Sequence, residues 1–370
     1  MKPLRVLLAG CALLTGAACA GDDDDDDTSA GETASAAGAA TTVAADPYAS
    51  PVPETTATTT STARPRASTY VPSEIALPTA NAFPHSIAID PEGRIWFTEL
   101  QANKLGMYDP VAKSFKEWPI PTAGSRPHGI GAASDGIIWV TEIGAHKIAR
   151  FDPATEEFTE YPLRSGSGPH TIVFDEGGRV WFTEQAGDRV GVIDPATGAL
   201  TEYDVPTKRS SPYGITVAGD GRVWFAELSG HKIGVVDPAS GTVTEYSPPT
   251  AGNGARRIDF DPLSGLLWIT LHNVSKMASF DPATEAFVEY DIPTANSQPY
   301  AIDADGEGSV WFGEFRGNKL GRIDTLTGEM VEYAIPSSRA GCRTVMVAAD
   351  GVVWCPESGT SKLLRMDPGE

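Results

Sequence analysis

The sequence predicts an all-β protein, a seven-bladed β-propeller of four-stranded antiparallel blades, and three observations predict it. Seven of the eight tryptophans recur in one phrase, Trp96, Trp139, Trp181, Trp224, Trp268, Trp311 and Trp354, at spacings of 43, 42, 43, 44, 43 and 43. A period near 43 residues built from short strands belongs to propellers. Each unit reads as four β-rich phrases separated by Gly, Asp or Pro turns such as Asp135-Gly136, Asp220-Gly221 and Asp350-Gly351. Seven such units account for residues 73–370 with little to spare.

Ahead of the repeats, residues 1–19 read as an export signal. Lys2 and Arg5 precede a mostly apolar stretch from Val6 to Ala18, and the small residues Gly16, Ala17 and Ala18 lead into Cys19. The pattern resembles a bacterial lipoprotein signal with lipidation at Cys19; cleavage without lipidation is the other reading, and both export the chain. Residues 20–72 carry the run Asp22 to Asp27 and then Ala, Thr, Ser and Pro. Such a composition cannot offset its ordering entropy, so the segment is expected to be a disordered tether. The formal charge of −21 argues against nucleic acid and anionic membrane surfaces as partners. No apolar run reaches the roughly 18 residues that span a bilayer, so membrane contact is expected only through the lipid anchor.

In the first unit the phrases are PHSIAID, RIWFTE, NKLGMYD and FKEWPIP. Nothing recurs at helical spacing, and Pro and Gly fall inside every unit. A lone four-stranded sheet buries its faces poorly, so the repeated tryptophans are expected to pack between neighbouring blades. The last unit stops after its third phrase, SKLLRMDPGE. The missing phrase stands at the other end, where Glu74-Ile75-Ala76-Leu77-Pro78 parallels Glu289-Tyr290-Asp291-Ile292-Pro293. Residues 73–78 are therefore expected to supply the outer strand of blade seven and close the ring. Cys342 and Cys355 fall in the first two strands of that blade, on one face of a hairpin, where a disulfide is compatible with their spacing.

Candidate chemistry gathers on one rim. The first strands open with His85, His128, His170, Tyr213, Arg256, Tyr300 and Arg343, and the second strands end with Glu99, Glu142, Glu184, Glu227, Leu271, Glu314 and Glu357. Antiparallel pairing around a short hairpin should bring each pair together at one mouth of the central channel. His146 and His231 open third strands and His272 follows Leu271, so all six histidines map to that rim. Tyr213, Arg256, Tyr300, His146 and His231 are candidate ligand contacts, with Arg256 and Arg343 suited to an anionic group. Phosphate-binding glycine loops, CxxC pairs and a nucleophile elbow are absent from the sequence, so no nucleotide cofactor is expected.

The repeated PHxI, WFTE and NKIG phrases, with EYPLPT-like segments between units, resemble the streptogramin lyases of the virginiamycin B lyase family over residues 73–370. The resemblance implies a seven-bladed propeller that linearises cyclic depsipeptides by elimination across the ester, with magnesium or another divalent metal. It implies a monomer with a small cyclic peptide at the channel mouth. Elimination needs a base for the proton alpha to the ester carbonyl and an electrophile for the enolate. The family places a His and a Glu at this 14-residue spacing in the final blade, and here those positions hold Arg343 and Glu357. A guanidinium stays protonated and is no general base. The intact pairs are His85 with Glu99, His128 with Glu142, and His170 with Glu184. The metal candidates are thus Glu99, Glu142, Glu184, Glu314 and Glu357, with His85, His128 or His170 as base. The alternative is a non-catalytic lipoprotein that captures a peptide, glycan or cell-wall fragment on the same rim.

Overall fold

The computed structural model describes residues 69–369. The export signal 1–19 with Cys19, and the tether 20–72 up to residue 68, lie outside the described residues. The described chain forms seven four-stranded antiparallel sheets, six of them in simple sequence order. Blade one, for example, runs Pro84–Ile89, Ile95–Glu99, Lys104–Asp109 and Ser114–Pro119. The one helical element among the described residues is a 3-10 turn, His272–Val274.

Side-chain alternation along each second strand builds the ring. Each tryptophan is buried and faces the next blade, where it meets the two residues flanking that blade's own tryptophan. Trp96 packs with Ile138 and Val140, Trp181 with Val223 and Phe225, and Trp354 with Ile95 and Phe97. The same rule generates all seven apolar clusters among the described residues, one per blade interface. On its own blade each of six tryptophans leans on an aromatic residue of the fourth strand, as Trp96 does on Trp118 at 5.4 Å between ring centroids and Trp311 on Tyr333 at 5.4 Å.

A second pattern couples strands two and three within a blade. Phe97, Phe182, Phe225 and Phe312 stand opposite Gly106, Gly191, Gly234 and Gly321, whereas the smaller or branched Val140 and Ile269 stand opposite Ala149 and Ala278. A Cβ at any of those four glycines would lie inside the facing phenyl ring.

Blade seven closes as expected in kind, with shifted bounds. Its sheet is Met346–Val347, Val353–Glu357, Lys362–Pro368 and the N-terminal strand Tyr70–Ala76. The closing strand starts earlier than the expected 73–78 because Tyr70 has an edge to pack against, Trp311 at 4.7 Å and Tyr333 at 5.4 Å. It stops earlier because Pro78, without an N–H, cannot extend the ladder beyond the Leu77 N–H, which bonds Ser361 O at 3.0 Å. The inner strand of this blade is the least regular, and a disulfide joins Cys342 to Cys355 there, with Cα atoms 5.9 Å apart.

Replacing Gly234 by Ala should lower stability by about 1–3 kcal/mol, the usual cost of forcing extra volume into a packed core. Chemical denaturation of Gly234→Ala beside Gly252→Ala, which adds its Cβ to open space at a positive φ, separates crowding from backbone strain.

Candidate functional site

The mouth of the channel is assembled by a repeated local device. The residue before each of the first six inner strands (Phe83, Arg126, Gly168, Ser211, Gly254, Gln298) has positive φ, and so has Gly341 before the bridge residue Cys342 of blade seven. The register between strands one and two then shifts in six blades, between Pro84 and Ile87 in blade one and at the matching place in blades two to six. A bulge leaves backbone groups unpaired, and the threonine of WFTE takes them up. Thr98 Oγ1 accepts from Ser86 N at 3.1 Å and donates to His128 O of the next blade at 2.8 Å. Thr141 does the same for Gly129 N and His170 O, and Thr183 for Thr171 N and Tyr213 O. In blade seven that position is Pro356, and Thr344 of the inner strand substitutes, accepting from Ile87 N at 3.1 Å.

These clasps point the seven ring residues inward, where they fill the mouth. His85, His128, His170, Tyr213, Arg256, Tyr300 and Arg343 are each no more than 6% exposed. The residues expected from sequence to line the mouth therefore plug it. Ring centroids lie 3.6 Å apart for His85 and His128, 3.9 Å for His128 and His170, and 3.6 Å for His170 and Tyr213. Across the channel the Tyr213 and Tyr300 hydroxyls bond each other, and Arg256 Nη2 donates to Tyr213 at 2.8 Å. The Arg256 guanidinium lies 3.7 Å from the Tyr300 ring centroid. Arg343 sits between Phe83 at 5.2 Å and Phe315 at 4.7 Å, its Nε bonded to Ser358 Oγ. Burial pushes the three imidazoles well below their ordinary value, and neighbouring imidazole and guanidinium charges add to the effect. They are neutral, and His170 Nε2 has no hydrogen-bond partner.

The glutamates do not join this ring. The residue opposite Glu99 is Pro84, not His85, and the same holds for Glu142 with Pro127, Glu184 with Pro169 and Glu314 with Pro299; Glu357 faces Cys342. Each lies instead against an inter-blade clasp built from the third and fourth strands. In blade one, Lys104 pairs with Glu117 at 2.7 Å, and Thr79, from the loop after the closing strand, donates to the same Glu117 oxygen at 2.7 Å. Lys147 with Glu160 and Thr122, Lys232 with Glu245 and Thr207, and Lys319 with Glu332 and Thr294 repeat it. Glu74 of the closing strand completes blade seven through Lys362 and Ser337. Glu184 departs by pairing with Arg189 at 2.7 Å.

Buried beside a second carboxylate, these glutamates titrate late. Burial, then the Glu117 charge, pushes Glu99 up to about 8. Glu142 and Glu227 also reach about 8, and Glu184, Glu314 and Glu357 about 7, burial being the leading cause in each. Neither Glu99 oxygen has a partner as a carboxylate, and Glu117 Oε1 is equally bare; a protonated Glu99 donating to Glu117 supplies both. His146 and His231 belong to the same scaffold. Their Nδ1 atoms accept Gly168 N and Gly254 N, as Asn103 and Asn318 Oδ1 accept Ser125 N and Ala340 N in other blades.

Among the described residues, no group of three His, Cys, Asp or Glu converges to hold a metal. The charged groups nearest the ring are the cations Arg256, Arg257 and Arg343. The donor set thus does not fit a divalent metal at the mouth. Sequence reasoning missed Arg257, Asp259 and Asp303, which line the channel below the plug. The signal was present: blade five reads Arg256-Arg257-Ile258-Asp259 where blade one reads His85-Ser86-Ile87-Ala88.

The fold and its ring define a seven-bladed propeller whose inner strands seal one end of the channel with imidazole, phenol and guanidinium groups. The virginiamycin B lyase family matches residues 55–222 and 195–370, and the chain belongs to that family. A streptogramin B lyase structure is 32% identical, covering 81% of this chain and 98% of that one at a TM-score of 0.76. Virginiamycin B lyase from Staphylococcus aureus is 29% identical, covering 81% and 99% at 0.76, and a catalytically inactive histidine-to-alanine variant with quinupristin matches equally. The extracellular domain of a B. thetaiotaomicron two-component system shares the fold alone, 17% identical over 82% of this chain and 43% of that one at 0.64. No curated protein sequence matches significantly.

Raising the folded-state pKa of the buried glutamates fixes the sign of a pH effect. Their contribution is fully present below the ordinary value of 4.5 and is lost as pH rises through about 7 to 8. The melting temperature should fall across that interval, and Glu99→Gln, which keeps a donor toward Glu117, should remove one blade's share. A melting temperature that climbs through the same interval contradicts the assignment.

Proposed function

We propose that this protein captures a small ligand bearing an anionic group at the channel mouth, without the metal-assisted elimination that the family resemblance implies. The observation that carries the reading is Arg343, a permanent cation between Phe83 and Phe315, at the position where the resemblance puts the base. Glu357 supports it, because its carboxyl turns to Thr360 and to the Glu74 clasp. A guanidinium flanked by aromatic faces suits the carboxylate of a peptide or cell-wall fragment. Lyase activity is the second reading, favoured by family membership and by neutral imidazoles at His85, His128 and His170 that can accept a proton. The Cys19 anchor would hold either activity on the outer side of a membrane.

Incubating the protein with quinupristin and magnesium, followed by chromatography and mass spectrometry, should yield no ring-opened isomer of unchanged mass. Such an isomer would overturn the proposal in favour of the lyase. In calorimetry, a muramyl pentapeptide should bind, and Arg343→Gln should weaken it by about tenfold or more, as expected for loss of one partner of a shielded charge pair. Labelled palmitate should enter the protein in a bacterial host with lipoprotein processing, and Cys19→Ser should abolish its incorporation.

A further inference from the structure

Below the plug the channel opens into a cavity of about 260 Å3, smaller than the roughly 300–1,000 Å3 of drug-sized sites. Its walls are largely aliphatic, from Ile87, Ile130, Val173 and Ile215 of four inner strands. Two kinds of charge stand in it. Arg257 reaches across the channel from blade five, donating Nη1 to Thr171 Oγ1 of blade three at 2.9 Å. Arg257 is 6% exposed, its guanidinium lies 5.4 Å from the Tyr213 ring and 5.7 Å from the Tyr300 ring, and its Nε and Nη2 have no hydrogen-bond partner. Asp259 and Asp303, from the adjoining blades five and six, line the same space. Asp259 accepts from Thr216 Oγ1 at 3.0 Å and from Ala304 N at 2.8 Å, and Asp303 accepts from Val347 N at 2.7 Å.

Among the described residues no ion pair joins Arg257 to either aspartate, although Arg257 and Asp259 are two residues apart on one strand. Arg257 falls within the register shift of that strand and turns to Thr171, whereas Asp259 turns to Thr216 and Ala304, so the two reach the cavity in different directions and leave room for one small group between them. Burial, then the Asp259 charge, holds the Asp303 carboxyl well above the usual carboxylate range, and burial raises Asp259 as well. An ammonium beside them relieves that repulsion, and a carboxylate satisfies the bare guanidinium nitrogens.

We propose that this lower cavity binds a free aliphatic α-amino acid, its carboxylate on Arg257, its ammonium on Asp259 and Asp303, and its side chain on the isoleucine and valine walls. The site adjoins the underside of the ring, where Arg257 lies beside the Tyr213 and Tyr300 rings.

Calorimetry of the exported-form protein with three probes tests it. L-leucine should bind, while 4-methylpentanoate, which lacks the ammonium, and 3-methylbutylamine, which lacks the carboxylate, should each bind at least about tenfold more weakly. Asp303→Asn should weaken leucine by a similar factor and leave 4-methylpentanoate unchanged. Absence of leucine binding overturns the proposal, and so does an amine that binds as tightly as leucine, which would mark a plain cation site. Because the probe series uses unaltered protein, its outcome stands even if a variant fails to fold.

Discussion

The structure depends on one packing constraint: a four-stranded sheet has two faces, and its tryptophan can bury itself only against the next sheet. Alternation along the second strand sends the tryptophan to one neighbour and its flanking residues to the other. Every blade is thus both donor and acceptor in a chain of contacts that is complete only as a ring. An open array would leave one apolar face and one strand edge to water. The chain meets this by lending Tyr70–Ala76 to the blade that holds its C-terminal end, where Glu74 enters the same Lys and hydroxyl clasp that the outer-strand glutamates make elsewhere.

Because the scaffold repeats, the residues that vary are the ones that face the channel. The bulge and its threonine hold each inner strand through backbone atoms, so the ring side chain is free to be histidine, tyrosine or arginine without altering the frame. Three neutral imidazoles run into two hydrogen-bonded phenols, and guanidinium groups lie over the aromatic faces, which spreads their charge in a site with few anions. Membership of the virginiamycin B lyase family rests on the frame. The ring is where the chain varies, and Arg343 stands at the position where the resemblance implies a histidine.

The repeated glutamates show how repetition misleads. Their spacing from the histidines is constant because the hairpin is constant, and constancy alone invited pairing across the mouth. The bulge breaks that inference: it places proline opposite glutamate, and the carboxyl is buried beside a fourth-strand carboxylate, burial first and that charge second raising its pKa. Of the five buried acids that read as metal candidates, four lie against the inter-blade fastening and Glu184 pairs with Arg189.

The sequence by itself determined the number of blades, their four strands, the closure of the ring and the rim that gathers histidine, because each follows from a period or from alternation, and both are local. The proximity of Cys342 to Cys355 was legible for the same reason. Only the tertiary structure decided that the mouth is plugged, that the glutamates face away from it, and that Arg257, Asp259 and Asp303 share a cavity. Those outcomes depend on side chains from different blades meeting across a common axis, a distance that no spacing along the chain encodes.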